Sequence, residues 1–287
     1  MFTRPFRYER AERLADACSL LREYGEGAKV IAGGQSLMPL INLGLVQPDV
    51  VIDISRAAGQ RDLRAADGYL TVGALATHAD LAADRLVADA QPLLGAAARL
   101  VGNARVRSRG TLGGSLAHGD PAAELPLVMT ALGASYELTN GAQTRTVAAQ
   151  EFHVTFMTTQ LEEDELITSV RLPTLGPGWG WSFLEVSRRD GDFAMAAVAV
   201  LVRVADGLIV ESRVAVGGVS DRPVRLADVE TSLSGATPAQ IGDRVGPLQG
   251  IRPVTDAGAS AGYRAQLCRV LVTRALTAAC HRSAEAA

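Results

Sequence analysis

Apolar positions change spacing several times along this chain, and each change predicts an element. Over residues 9–24, Leu14, Cys18 and Leu21 recur at helical spacing, which predicts an amphipathic helix stopped by Gly25 and Gly27. Lys29-Val30-Ile31-Ala32 then reads as a short buried strand, and Val50–Ile54 as a second. Between them Ser36 is placed to cap a short helix with Pro39 in its first turn. Tyr69–Ala74 reads as a strand after the Asp67-Gly68 turn. Thr77 and Asp80 have capping-box spacing and open a helix running to about Ala88; a second helix follows over Pro92–Val101. Residues 121–132 read as helix, and residues 136–147 as a hairpin across Asn140-Gly141. A strand over 165–172 stops at Pro173.

Gly176-Pro177-Gly178 is the best linker in the chain. Beyond it, 181–186, 193–204 and 208–216 predict a three-stranded antiparallel sheet ending in a plain turn at Gly217-Gly218. Residues 223–234 and 238–248 are weakly helical. A long last helix over 261–280 carries Tyr263, Leu267, Val270, Leu271 and Arg274 on one face.

Composition narrows the class. With 287 residues, 48% of them hydrophobic, the chain has ample core for one large domain or two to three small ones. A net charge of −3 gives no electrostatic case for nucleic acid or an anionic membrane. Cys18, Cys268 and Cys280 are far apart, with no C-x-x-C pair, so neither an iron–sulfur cluster nor a zinc site is expected from this chain alone. The N-terminal stretch MFTRPFRYERAERLADA lacks an apolar core of signal-peptide length, and the longest apolar run, Phe193 to Val202, is too short to span a bilayer. A cytoplasmic protein is expected.

The candidate chemistry lies at two glycine pairs, Gly33-Gly34 and Gly113-Gly114. Without a Cβ, successive backbone N–H groups can turn toward one point and hold an anion. Two such turns suggest one large ligand with a diphosphate between them. The first follows a strand and precedes a helix start, where phosphate oxygens are well placed. It is neither G-x-G-x-x-G nor a Walker loop, which argues against NAD and leaves FAD or a plain tight turn open. The second sits in GNARVRSRGTLGGSLAHGDPAAE, where Thr111 and Ser115 offer hydroxyls to phosphate or ribityl groups, and Glu124 can accept from ribose or ribityl hydroxyls. Alternation would put Arg105, Arg107 and Arg109 on one face. His118 reads as a loop histidine touching the ligand or nearby backbone. Gly258-Ala259-Ser260-Ala261-Gly262 matches G-x-S-x-G, but no buried strand precedes it, so Ser260 reads as a helix cap. Glu162-Glu163-Asp164-Glu165 reads as a solvated turn. No acid–base pair stands out, which suits a protein whose cofactor supplies the chemistry.

The segments AGGQSLMPLINLGLVQPDVVIDIS, TLGGSLAHGDPAAELPLVMTALGA, SRRDGDFAMAAVAV and GYRAQLCRVLVTRAL together resemble the FAD-binding medium subunit of molybdenum hydroxylases, the group of carbon monoxide dehydrogenase and quinoline 2-oxidoreductase, with the xanthine dehydrogenase flavin domain as a relative. The resemblance covers essentially the whole chain in order. It implies an α+β, vanillyl-alcohol-oxidase (PCMH)-type FAD-binding fold in two subdomains, 1–57 and 58–176. A C-terminal subdomain, 177–287, would carry a three-stranded antiparallel sheet with a helical bundle. By motif position, Val30, Ile31, Ala32, Gly33, Gly34, Gln35, Ser36 and Leu37 would wrap the diphosphate. Thr111, Gly113, Gly114 and Ser115 would meet the diphosphate and ribityl chain from the other side. Val101 and Gly102 fall where related flavin domains contact FAD, and Glu124 matches an acidic FAD-contacting position. Leu166 and Ile167 would lie near the adenine, and the 188–193 loop with Phe193 near the isoalloxazine. No residue is expected to be catalytic and none to bind metal.

The implied activity is electron transfer in an oxidoreductase. FAD here would take electrons from two [2Fe-2S] clusters on a small partner subunit. A large molybdopterin-Mo subunit would oxidise the substrate, in a heterotrimer doubled into a dimer of heterotrimers. Val101 replaces an aromatic ring of the xanthine dehydrogenase branch and Leu184 its flavin-contacting lysine, which argues against NAD as acceptor. Gln35 replaces the histidine of the carbon monoxide dehydrogenase motif. Two other readings remain open: a self-contained flavin oxidase or dehydrogenase with His118 or His153 as base, and a non-catalytic nucleotide-binding or scaffold subunit.

Overall fold

A computed structural model describes residues 4–286; the first three residues of the N-terminal stretch and Ala287 lie outside it. The described residues form three main sheets in succession, with a small two-stranded one beside the second. The first comprises β1 (Arg7–Arg10), α1 (Leu14–Tyr24), β2 (Ala28–Ile31), α2 (Leu37–Asn42) and β3 (Val50–Asp53). Its strands run parallel in the order β1-β3-β2. Parallel pairing requires a crossover, and α1 and α2 supply it. Residues 7–10 are strand, so the helix expected over 9–24 starts only at Leu14, with Arg13 at the N-cap position and its guanidinium donating to Asp16. β1 is an exposed, charged edge strand, and it has no apolar period to reveal it.

The second sheet is antiparallel, in the order β4-β5-β10-β6-β7. It is built from β4 (Leu63–Ala66), β5 (Tyr69–Gly73), then α3 (His78–Ala83), α4 (Arg85–Ala90), α5 (Pro92–Leu100), α6 (Ala104–Arg107), α7 (Leu112–His118) and α8 (Glu124–Leu132), then β6 (Ser135–Thr139), β7 (Thr144–Ala148), α9 (Ala149–Phe152), the two-stranded pair β8 (His153–Thr155) and β9 (Thr158–Thr159), and β10 (Leu166–Pro173). The Thr77–Asp80 capping box is present, but the helix it opens ends at Ala83, because Asp84 takes extended backbone and caps a separate α4. α8 begins at Glu124 rather than Pro121. Arg105 and Arg107 lie on the single turn α6, so the three arginines do not alternate on a strand face.

The third sheet, β11 (Trp179–Val186), β12 (Ala196–Ala205), β13 (Leu208–Gly217) and a short β14 (Val224–Arg225), is antiparallel and has four strands, one more than the pattern predicts. It is followed by α10 (Ala227–Leu233), α11 (Ile241–Arg244) and α12 (Ala261–Glu285). Ser260 caps α12 by accepting from the Tyr263 N–H. The buried face of α12 carries Cys268, Val272, Ala275, Leu276 and Ala279, while Tyr263 and Val270 are exposed. The inward face also includes Arg264, whose guanidinium donates to the Met195 and Gly218 carbonyls and pairs with Asp256.

The third sheet is buried on both sides. One face, with Ala197, Ala199, Leu201 and Ala215, joins the core beneath α5 and α8; the other, with Val198, Val200, Val202 and Val214, packs under α12. β11 meets α12 so closely that a Cβ at Gly180 would lie 1.8 Å from the Ala279 carbonyl oxygen. Gly180→Ala must therefore push the helix off the sheet. The expected cost is about 1–3 kcal/mol, seen as a melting temperature lower by about 2–10 °C in circular dichroism. An unchanged melting temperature would show that the helix can slide aside freely.

Candidate functional site

A cleft of about 770 Å³ runs between the first sheet, the second and a loop of the third. That volume lies within the range of about 300–1,000 Å³ usual for small-molecule and cofactor sites. Two glycine loops meet at its centre. Ideal Cβ placement at Gly33 would fall 2.0 Å from the Arg109 carbonyl oxygen, so only glycine allows this contact. Gly34 sits at φ +71, in the left-handed region, and the chain then turns into α2. The loop leaves the carboxyl end of a parallel strand, where ligands of such sheets bind.

The two glycine pairs do different work. In the first loop, the N–H groups of Gly33, Gly34, Gln35 and Ser36 have no backbone partner among the described residues. The Gln35 side chain folds back to donate to the Gly33 carbonyl, 3.1 Å away. Ser36 stands at the N-cap of α2, but its hydroxyl makes no cap hydrogen bond. In the second loop the N–H groups are already used. Leu112 donates to Ala76, Gly113 to Ala74, and Gly114 to the Thr111 hydroxyl that caps α7. Gly113 is glycine because its Cβ would lie 2.7 Å from that of Ala74. The second pair is therefore a packing device, not a second anion nest. It brings Thr111, Gly114 and Ser115 to the cleft wall.

Every residue expected to contact FAD lines this cleft. Val30, Ile31, Ala32, Gly33, Gly34, Gln35, Ser36 and Leu37 form one wall, and Thr111, Gly113, Gly114, Ser115, His118 and Glu124 the opposite one. Leu166 and Ile167, at the start of β10, close one end. Val101, Gly102 and Phe193 close the other. There the loop from the third sheet is seated by Gly191, at φ +81, against the Gly102 carbonyl; a Cβ would lie 3.1 Å from it. Arg107 holds the same corner by donating to the Val101 and Gly102 carbonyls at 3.0 and 2.9 Å.

Other lining residues were not foreseen. His78 reaches the cleft behind Gly110; burial, with Arg107 nearby, pushes its pKa down to about 4, so the imidazole is neutral. The capping box that puts His78 at the first position of α3 was the available signal. Lys29 and Asp120 also line the cleft, as do Met157 and Thr159 from the β8–β9 hairpin. The acidic run is not simply solvated: Glu162, Glu163 and Glu165 face the cleft, and Glu165 forms a bidentate pair with Arg145 at 2.7 Å. His153 lies elsewhere, buried, donating to the Leu116 carbonyl at 3.2 Å, its pKa pushed down to about 4 by burial. It is not placed to act as a base in the cleft.

The cleft suits a dinucleotide on its own terms. Four free N–H groups can take a diphosphate where no arginine side chain lines the wall, and the apolar strand ends Ile31 and Ile167 offer flat surface beside them.

Comparison with known proteins agrees with this geometry. Residues 4–175 match the family described as FAD binding domain in molybdopterin dehydrogenase, and residues 181–279 the CO dehydrogenase flavoprotein C-terminal domain. The nicotine 6-hydroxylase medium subunit of Paenarthrobacter nicotinovorans is 39% identical over 95% of this chain and 96% of its own length. Among solved structures, a chain of carbon monoxide dehydrogenase from Hydrogenophaga pseudoflava superposes with a TM-score of 0.94 at 33% identity, covering 98% of this chain and 99% of that one. Quinoline 2-oxidoreductase from Pseudomonas putida 86 gives 0.92 at 31% identity, covering 99% of each chain.

Fold and cleft thus define a flavoprotein component of an oxidoreductase. The chain belongs to the family of FAD-binding medium subunits of molybdenum hydroxylases.

Gly33→Ala tests the loop contact directly. The added methyl collides with backbone, not with a movable side chain, so the loops must part. The variant is expected to purify folded, with unchanged far-ultraviolet circular dichroism, but with at least tenfold weaker FAD retention, read from flavin absorbance per chain. Full flavin content would show that the loop contact does not shape the site.

Proposed function

We propose that this chain is the electron-relay subunit of a heterotrimeric molybdenum hydroxylase. Bound FAD supplies two-electron chemistry here, taking electrons from [2Fe-2S] clusters of a small partner subunit and passing them to an external acceptor. A large molybdopterin subunit oxidises the substrate. The assembly is a dimer of heterotrimers in the cytoplasm. The relatives named as medium subunits support this division, as does the mention of a molybdenum cofactor for the carbon monoxide dehydrogenase relative.

The observation that carries the reading is the run of free N–H groups from Gly33 to Ser36, facing a cleft long enough to reach from Ile167 to Phe193. In this reading those groups hold the diphosphate. Ser115, whose hydroxyl has no partner among the described residues, and Glu124 hold hydroxyl groups of the cofactor. Leu166 and Ile167 cover the adenine, and the 188–193 loop shields the ring system from water. The chain divides at 57/58, after β3, and at 176/177, beside the positive-φ Gly178 that precedes β11. No helix among the described residues is long and apolar enough to cross a membrane.

The test is substrate-dependent flavin reduction. Purified with its partner subunits, the chain should carry close to one FAD, reduced anaerobically by the complex's substrate. The isolated flavin-loaded chain should stay oxidised under the same conditions. Reduction of the isolated chain by substrate would establish a self-contained dehydrogenase instead. A complex without FAD would sink the relay.

A further inference from the structure

The parallel sheet ends on an open strand. β2 is outermost and pairs with β3 alone, Val30 opposite Ile52 and Ile31 opposite Asp53. Along a strand, successive residues turn their N–H and C=O groups to opposite edges. The Ile54 N–H donates to the Ile31 carbonyl at 3.0 Å, so Ile31 and, two residues earlier, Lys29 are the ones bonded to β3. The other side of β3 agrees: the Asp49 and Asp53 carbonyls accept from Arg7 and Ala11 at 2.8 and 2.9 Å, which leaves Val50, Ile52 and Ile54 to face β2. Val30 therefore turns both its N–H and its C=O outward, and neither has a partner among the described residues.

That free edge opens into the cleft. Residues 28–32 line it without a break. Side chains alternate across a strand, so a cleft lying on one face would touch every second residue; an unbroken run means that it meets β2 on its edge. The edge is sheltered. Leu21, Leu161, Leu166 and Ile167 line the cleft with it, and Val30 packs against the same apolar cluster that holds Leu166. A donor and an acceptor kept from water gain most from a partner carrying the opposite pair. The position along the ligand fits as well. Val30 precedes Gly33 by three residues, about 10 Å of extended chain, which is the scale of a ribose and a base beyond a diphosphate.

We propose that Val30 reads the base of the cofactor through its backbone: its C=O accepts from the exocyclic amino group of adenine, and its N–H donates to a ring nitrogen beside that group. The inference rests on the FAD reading above, in which Leu166 and Ile167 cover the adenine. Adenine carries an amino donor flanked by ring-nitrogen acceptors, the complement of one C=O and one N–H on a strand edge. Hypoxanthine and guanine carry an oxygen in place of that amino group. It would face the Val30 carbonyl, acceptor against acceptor, with no donor between them. The Val30 side chain plays no part in this. Selection of the base comes from the open edge of β2, so the topology of the sheet carries it.

The experiment compares dinucleotides on the flavin-depleted full chain, titrated by flavin fluorescence. Replacing the adenine of FAD by hypoxanthine should weaken binding by about ten- to a hundredfold, because a sheltered acceptor is left unpaired. The 1-deaza and 7-deaza adenine analogues each lack one ring nitrogen beside the amino group; at least one of them should bind about three- to tenfold more weakly than FAD. Val30→Pro removes the N–H, which the ladder does not use, so proline is tolerated at this edge position. In that variant FAD should bind about as weakly as the deaza analogue binds the wild type, and the deaza change should cost nothing further. Where the variant does not fold, the wild-type titrations still decide. Equal affinity for FAD and its hypoxanthine analogue, no loss with either deaza analogue, or a full deaza penalty retained in Val30→Pro would overturn the proposal. Failure of FAD itself to bind would overturn the cofactor reading instead.

Discussion

The missing Cβ of Gly33 is the constraint on which the site depends. Its Cα lies against the Arg109 carbonyl so closely that an added methyl would sit 2.0 Å from the oxygen, far inside contact range. Through that approach a loop of the parallel sheet and a loop of the antiparallel sheet become one surface. Move them apart and the N–H groups of Gly33 to Ser36 would face open solvent rather than a cleft wall. The anion-binding capacity of the first loop is thus local, but its usefulness comes from a partner about 75 residues further along the chain.

The second loop gains its shape differently. Its N–H groups are spent on Ala74, Ala76 and Thr111, which fasten it to the start of α3 and to the end of β5. Gly110 repeats the device, since a Cβ there would lie 2.6 Å from the His78 ring. The loop is rigid because these bonds satisfy buried donors in the interior. It is narrow because glycine at 110 and 113 lets it lie flat against its neighbours. One loop therefore keeps its donors free, and the other uses its donors to stay still. Both read as Gly-Gly in sequence.

That identity of appearance marks the limit of what the chain reveals by itself. Elements with a strong period were legible: α5 begins at Pro92 and ends next to Val101, and the β6–β7 hairpin turns at Asn140-Gly141. β1 was not, because an edge strand of Arg, Tyr and Glu buries too little to show alternation. The face of α12 was misread because Arg264 is buried as a cap on two carbonyls, while Tyr263 beside it faces outward. Charge in the core is invisible to a hydrophobic period. The glycine loops of the cleft stood out in the sequence, whereas His78, Met157 and Thr159 enter it only through tertiary packing.

The distribution of charge follows from the same geometry. Among the described residues Lys29 is the only lysine or arginine on the cleft wall, against Asp120, Glu124, Glu162, Glu163, Glu165 and Asp192. A diphosphate among those carboxylates would be repelled wherever backbone donors did not offset the field. The free N–H run of the first loop offers four such donors and carries no acid of its own. In the proposed FAD reading this would sort the ligand, its anionic part toward Gly33–Ser36 and its hydroxyl-bearing parts toward the acids. A cleft held by arginines would bind phosphate more strongly but with less regard to which end of the ligand entered first. In that reading the backbone would do the work of charge, and the acids would set the direction.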